Sequence, residues 1–272
     1  MRTTYVIAAA VCLISTFITS DAQDRPLSSQ WNGKRAAYLG DSMTDPNSKA
    51  TAKFYWQCLK EWLNIDYAVY ARSGYQWTDI YKMAEKLLAE KANSVDAIFI
   101  WAGTNDYNHS VPLGKFFTET TRETNHNGKA VTRKHRTAAM NDSTFAGRVN
   151  KVLSFLKENF PTKQIVILTP IHRGYATFSP QNVQPDENYA NGQGLYLDAY
   201  VDALKQAGVI WSVPVIDLYA SSGLYPNLDS QVRYIAKGDT DRLHPNAEGH
   251  SRIAKTIQYQ LLSLPADFSN QH

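Results

Sequence analysis

Four short segments carry the residue types of an acyl-transfer apparatus: Gly40-Asp41-Ser42, Ser73-Gly74, Gly103-Thr104-Asn105-Asp106 and Asp241-Arg242-Leu243-His244. Ser42 is the candidate nucleophile, and a serine hydroxyl needs a base to act at neutral pH. His244 is the candidate base. Asp241, three residues earlier, can accept a hydrogen bond from the far ring nitrogen, which fixes the tautomer and stabilises the imidazolium. That spacing lets both side chains face the same way within one turn of chain. It would also suit the cap of a helix starting at Pro245, and the presence of Ser42 is what favours the catalytic reading.

When an ester carbon becomes tetrahedral, negative charge develops on its oxygen, and fixed donors aimed there lower the barrier. Three are available: the backbone N–H of Ser42, the backbone N–H of Gly74, which has no side chain to block close approach, and the Asn105 amide. Read blandly, Gly74 is a turn residue and Asn105 a strand-end cap. Asp41 precedes the nucleophile where its carboxylate could tie down the turn. No Gly-x-Ser-x-Gly is present, which counts against a nucleophile elbow, and no Gly-rich phosphate loop is found.

These segments must be brought together by the elements between them. Continuous apolar runs predict strands at 34–40, 65–70, 96–102, 164–169 and 213–217, and helical spacing predicts helices at 52–63, 77–90, 145–159, 194–207 and 245–262. Strands that alternate with helices and are apolar throughout indicate a parallel sheet covered on both faces. Ligands of such sheets bind at the carboxyl ends of the strands. Ser42, Gly74 and Asn105 follow the first three strands, and Asp241 and His244 fall in a loop before the last helix.

Two stretches do not fit this plan: a polar insert at 107–141 and a second, rich in Asn, Gln and Pro, at 174–192. Long segments of this kind are usually functional or disordered, and both are expected to wall the cleft. Within the first, Arg122 to Arg136 holds five bases (Arg122, Lys129, Arg133, Lys134 and Arg136), two histidines and one acid, Glu123, which reads as a solvated loop or as a platform for an acidic glycan or phosphate. His172 and Arg173 follow the fourth strand and are candidates for substrate contact. Tyr75, Tyr107, Trp77 and Trp101 lie beside the motifs and either stack on sugar faces or belong to the core.

In this order the four segments resemble the motif blocks of the SGNH, or GDSL-type, hydrolase superfamily, from Tyr38 to about Leu262. The resemblance implies an α/β fold, a three-layer α/β/α sandwich with a five-stranded parallel sheet of flavodoxin-like order. It implies catalytic residues Ser42, Asp241 and His244, and an oxyanion hole of Ser42, Gly74 and Asn105. Tyr75, Tyr107, His172 and Arg173 are added from their positions as substrate-binding candidates. Met43 replaces the leucine of the GDSL name. Arg72 stands where an Asn often precedes the second-block glycine, and the insert at 107–141 is not a general feature of the family.

The first 22 residues read as an export signal, with Arg2, the 13-residue apolar stretch Val6 to Ile18, and Ser20-Asp21-Ala22 as the cleavage site. That stretch is shorter than the roughly 20 residues needed to span a bilayer. Residues 23–272 are then expected as a single domain, periplasmic or extracellular, with no stable membrane insertion after cleavage. Cys58 would be the one cysteine left, so neither an internal disulfide nor a cysteine metal site is expected. A metal reading of Asp239, Asp241, His244 and His250 would leave Ser42, Gly74 and Asn105 without a purpose; no metal and no cofactor is expected. The net charge of +3 is mild and does not argue for nucleic acid. The partner expected is a small-molecule or glycan ester. An exported serine esterase that deacetylates a glycan or glycoside is favoured over a lysophospholipase or thioesterase, because the inserts are polar, and over a catalytically silent glycan-binding protein, because the triad is intact. Oligomeric state is not legible.

Overall fold

The apolar runs form strands and the amphipathic segments form helices, in the order β1 (Arg35–Gly40), α1 (Tyr55–Leu63), β2 (Asp66–Ala71), α2 (Trp77–Lys91), β3 (Ala97–Trp101), α3 (Thr104–Asn108), β4 (Phe117–His126), β5 (Lys129–Ala138) and α4 (Phe145–Asn159). There follow β6 (Gln164–Leu168), β7 (Ala176–Ser179), β8 (Asn182–Gln184), α5 (Leu197–Trp211), β9 (Val215–Ile216), α6 (Leu218–Ser221), a 3-10 helix (Asp229–Tyr234), β10 (Ile235–Lys237), β11 (Asp241–Pro245) and α7 (Ala247–Leu261). This computed structural model describes residues 29–91 and 94–266. The predicted export signal, residues 1–22, lies outside the described residues.

Side chains of a strand point alternately to opposite faces, and both faces here are apolar. Ala37, Leu39, Ile98, Ile100, Ile165 and Ile167 pack on one side with Ile80 of α2, Val149 of α4 and Leu204 of α5. Ala36, Tyr38, Phe99, Trp101, Val166 and Leu168 pack on the other with Leu59 of α1 and Ile253 and Ile257 of α7. Each fully buried Leu or Ile contributes about 2 kcal/mol of transfer free energy. Helices therefore cover both faces, giving the three-layer α/β/α sandwich. Cys58 is buried and free in the second of these clusters.

The sheet is five-stranded and wholly parallel, in the order β2-β1-β3-β6-β9. The chain leaves β1 to build β2 on one flank and β3 on the other, so the winding direction reverses beside β1. The crevice at such a reversal is where doubly wound sheets bind ligands.

The first insert differs from its expectation. It opens as α3 and then forms an antiparallel ribbon of β4 and β5, paired from Phe117↔Ala138 to His126↔Lys129. The ribbon turns through Asn127 and Gly128, both at positive φ (54° and 79°), the primed two-residue turn that Asn-Gly favours. None of residues 107–141 lines the cleft that contains Ser42. An Asn-Gly turn was legible in the sequence, but both faces of the ribbon are polar, so no apolar period of two marked the strands.

The end of the chain also departs from expectation. Asp241 and His244 lie on β11, which pairs antiparallel with β10 and with β7, rather than in a loop. Pro245 closes that strand. The cap of α7 is Asn246, whose side chain accepts from the N–H groups of Glu248 and Gly249, a contribution of about 1 kcal/mol.

Candidate active site

The turn that carries Ser42 is built by its neighbours. A Cβ on Gly40 would lie 2.5 Å from Thr44 Oγ1 and 2.7 Å from Thr44 Cβ, so the end of β1 accepts only glycine without a shift. Asp41 Oδ1 accepts the Met43 N–H at 3.0 Å, and the Asp41 carbonyl accepts from Thr44 and Asp45. This is the turn-fixing role predicted for Asp41, and it leaves Ser42 at the mouth of the crevice.

His244 reaches Ser42 across the crevice, with Nε2 2.9 Å from Oγ. On its other side Nδ1 lies 2.8 Å from Asp241 Oδ2 and 3.1 Å from Oδ1. The Leu243 and His244 N–H groups also donate to Asp241 Oδ1, each at 3.1 Å. Burial pushes the Asp241 carboxyl up, but the hydrogen bond and charge of His244 and these two N–H groups outweigh it and hold the carboxyl below its usual value. Asp241 is thus an anion that aligns the ring.

Gly74 sits at φ +86° with nothing within 4 Å of where a Cβ would be. Its backbone conformation favours glycine, and the space beside it is open. The Asn105 amide donates to the Tyr75 carbonyl at 3.0 Å and makes a longer contact of 3.4 Å to Asp41 Oδ2. Ser42, Gly74, Asn105, Asp241 and His244 all line one cleft of about 630 Å³.

Tyr75, Tyr107, His172 and Arg173 do not line this cleft. Tyr75 contributes its carbonyl to Asn105. Tyr107 is buried and donates to the Tyr189 carbonyl at 2.6 Å. His172 Nδ1 lies 2.5 Å from Glu187 Oε1, with its ring against Tyr219. Arg173 is 1 % exposed; it donates to Gln184 Oε1 at 2.7 Å and to Thr104 Oγ1 at 3.2 Å. Burial lowers its guanidinium to about 10, against the pull of Tyr107, Glu187, Asp41 and Asp241. Three of these residues therefore anchor the second insert, because their side chains leave the strand ends towards Gln184, Glu187 and Tyr189. Trp77 and Trp101 are core residues.

The walls are largely new. One comes from the second insert, as expected, through Thr177, Phe178, Asn182 and Gln184; others are the loop 47–50 and the segment of Ala236, Lys237 and Thr240, which the sequence did not single out. The Phe178 ring lies 5.5 Å from the His244 ring and is 45% exposed. Asp45 was missed as well. Its Oδ2 accepts both the N–H and the hydroxyl of Ser73 at 2.9 Å, although a polar residue three positions after the nucleophile was a signal for it. Among the described residues, no three His, Cys, Asp or Glu side chains are grouped to hold a metal ion, and no helix is long and apolar enough to cross a membrane.

A parallel sheet of this order, with motif residues at the ends of β1, β2 and β3 converging on one cleft, is the architecture of the SGNH class of hydrolases. The sequence pattern of the GDSL-like lipase/acylhydrolase family matches residues 38–252, and the chain belongs to that family, whose members hydrolyse esters. Among curated proteins, none matches the sequence.

Solved structures share the fold. A protein from Lactobacillus plantarum is 26% identical with a TM-score of 0.65, over 85% of this chain and 97% of that one. A possible lipase from Chitinophaga pinensis is 19% identical with a TM-score of 0.63, over 85% and 98%. A catalytic mutant of an acetylxylan esterase from Geobacillus stearothermophilus is 16% identical with a TM-score of 0.50, over 86% and 95%.

Proposed function

We propose that the chain is an exported serine esterase that removes acetyl groups from a glycan or glycoside. The observation that carries the reading is the series Asp241–His244–Ser42, with contacts of 2.8 and 2.9 Å. In this mechanism Ser42 Oγ attacks the ester carbonyl carbon while His244 Nε2 takes its proton. The carbonyl oxygen becomes an oxyanion held by the N–H groups of Ser42 and Gly74 and by the Asn105 amide. Collapse expels the alcohol oxygen, which receives the proton from His244, and leaves an acyl-serine. Water, deprotonated by His244, then releases the acid and restores Ser42.

The polar walls support a hydroxyl-rich alcohol. Asn47, Ser48, Lys49, Thr177, Asn182, Gln184, Lys237 and Thr240 offer donors and acceptors, whereas a lipid chain would require apolar surface. The fold shared with an acetylxylan esterase agrees with a polysaccharide ester but extends only to the fold.

Acetate release from a panel of acetylated polysaccharides, set beside p-nitrophenyl esters of increasing chain length, tests the substrate. Preference for long acyl chains over acetyl would overturn the glycan reading. Covalent labelling by a fluorophosphonate, lost in Ser42→Ala, tests the nucleophile; an unlabelled wild type would instead point to a silent binder. N-terminal sequencing of protein recovered from the periplasm or medium tests export, with Gln23 expected as the first residue.

A further inference from the structure

The β4–β5 ribbon carries a net charge on one face only. Opposite residues of an antiparallel pair share a face, and parity alternates along each strand. From the register, Phe117, Glu119, Thr121, Glu123 and Asn125 share one face with Ala130, Thr132, Lys134, Arg136 and Ala138. That face is balanced, with two acids and two bases. Lys134 and Glu119 are 3.7 Å apart, and the Arg136 guanidinium lies over the Phe117 ring at 4.3 Å. At the root of the ribbon, Phe117, Glu119 and Arg136, with Thr118 from the other face, line a hollow that also takes in residues of α4 and α5.

The other face has no acid. It carries Arg122, Lys129 and Arg133, together with His126 and His135, among threonines. Three cations without an anion equal the excess of the whole chain, 28 Lys and Arg against 25 Asp and Glu. The remainder of the protein is neutral by formal count. Arg122 and Arg133 are directly opposite each other, an arrangement that costs stability in a two-stranded ribbon. Such a ribbon is marginal to begin with, and this one is exposed along nearly its whole length. The like-charge pair therefore disfavours the isolated ribbon and becomes favourable only when an anion lies across it.

We propose that this face binds a carboxylated polysaccharide, the acidic backbone of the ester substrate. The choice of a glycan rests on the reading of the cleft as a glycan deacetylase; the charged face stands independently of that reading. Ten residues per strand make a platform roughly 30 Å long, which suits a rod-like polymer. Arginine pairs with carboxylates through two parallel hydrogen bonds, and Thr118, Thr120, Thr124 and Thr137 supply hydroxyls beside them. The face has no Phe, Tyr or Trp ring on which a nucleobase could stack. It has one apolar side chain longer than a methyl, Val131, and so no anchor for a lipid surface.

The test is retention of the full chain on immobilised polygalacturonate across a salt series, with neutral xylan, duplex DNA and phosphatidylglycerol vesicles beside it. Wild type is expected to bind polygalacturonate more tightly than the other three, and less so as salt rises. The R122S/K129S/R133S variant should bind at least about tenfold more weakly, and K134S/R136S, altered on the balanced face, within about twofold of wild type. R122K/R133K keeps the charge but not the paired hydrogen bonds and should bind between wild type and the triple variant, which separates loss of charge from loss of the ribbon.

The triple variant should hydrolyse p-nitrophenyl acetate at the wild-type rate and melt no lower than wild type, since a repulsion has been removed. Tighter binding to DNA, vesicles or neutral xylan overturns the assignment, as does equal weakening in the two serine variants or a lowered melting temperature in the triple one. Binding by Ser42→Ala equal to wild type shows that binding and hydrolysis can fail separately, so a negative result for one leaves the other standing.

Discussion

Asp45 Oδ2 lies 2.9 Å from both the backbone N–H and the hydroxyl of Ser73. Asp45 belongs to the turn that carries Ser42, and Ser73 precedes Gly74, so one carboxylate ties together the two segments to which the proposed mechanism gives the nucleophile and an oxyanion donor. Asp45 does not line the cleft, and in the proposed mechanism we infer that it acts as a positioning residue. Asp45→Ala should lower kcat by about tenfold to a hundredfold while KM for a small ester changes little. Asp45→Asn, which keeps an acceptor, should recover part of the loss. A change confined to KM, or no rescue by Asn, would contradict the positioning role.

The same residue gives a pH signature in stability. Burial pushes the Asp45 carboxyl up, but hydrogen bonds from Asn47 and Ser73 outweigh it and hold it below its usual value. Its stabilisation is therefore complete above the unfolded value near pH 4 and is lost as pH falls through the lower folded value. Urea unfolding should show Asp45→Asn less stable by about 2 kcal/mol at neutral pH, with the gap closing in acid. A gap that widens in acid would be the wrong sign.

Asp41 behaves in the opposite sense. Burial raises its carboxyl to about 7, against the Met43 N–H and the charge of His244. The folded protein holds this proton more tightly than the unfolded chain, which releases it near pH 4. The resulting stability is present in acid and lost as pH rises from about 4 through about 7. Wild type should therefore lose more stability than Asp41→Asn between about pH 5 and pH 8, as measured by urea midpoints. Parallel curves would show that Asp41 does not titrate in this range.

Asp241 holds the His244 ring through Nδ1 at 2.8 Å. Replacing it by Asn keeps the shape and removes the anion that selects the tautomer, so kcat for p-nitrophenyl acetate should fall by about 10³- to 10⁴-fold. Asn105→Ala removes one oxyanion donor and should cost about 10²- to 10³-fold in kcat with KM nearly unchanged. Circular dichroism of both variants checks that the fold is intact. Loss through KM alone would reassign Asn105 to ground-state binding.

Phe178 stands 5.5 Å from the His244 ring, on a wall braced by the bond from Arg173 to Gln184. Phe178→Ala should raise KM for polysaccharide esters several-fold and leave the hydrolysis of p-nitrophenyl acetate near wild type. Arg173→Met should act on stability first, at about 2 kcal/mol, because it leaves the Thr104 hydroxyl and the Gln184 amide oxygen without their guanidinium donor. Melting temperature reads the second effect and substrate-dependent kinetics the first.

By itself the sequence determined the sheet and the chemical inventory. Apolar runs such as Ala97 to Trp101, short and set between helical segments, read as strands buried on both faces, and Ser42, Gly74 and Asn105 follow the ends of the first three, because both signals are local. Tertiary structure decided which neighbours reach the cleft. His172 and Arg173 adjoin a strand end in sequence, yet their side chains turn to Glu187 and Gln184, whereas Phe178, far along the chain from Ser42, comes to stand beside His244, and Asp45 ties the Ser42 turn to Ser73 after the second strand. The ribbon of β4 and β5 shows the same limit. Its Asn127-Gly128 turn is local and readable, but the separation of its charges into a balanced face and a basic one exists only once the register pairs Arg122 with Arg133.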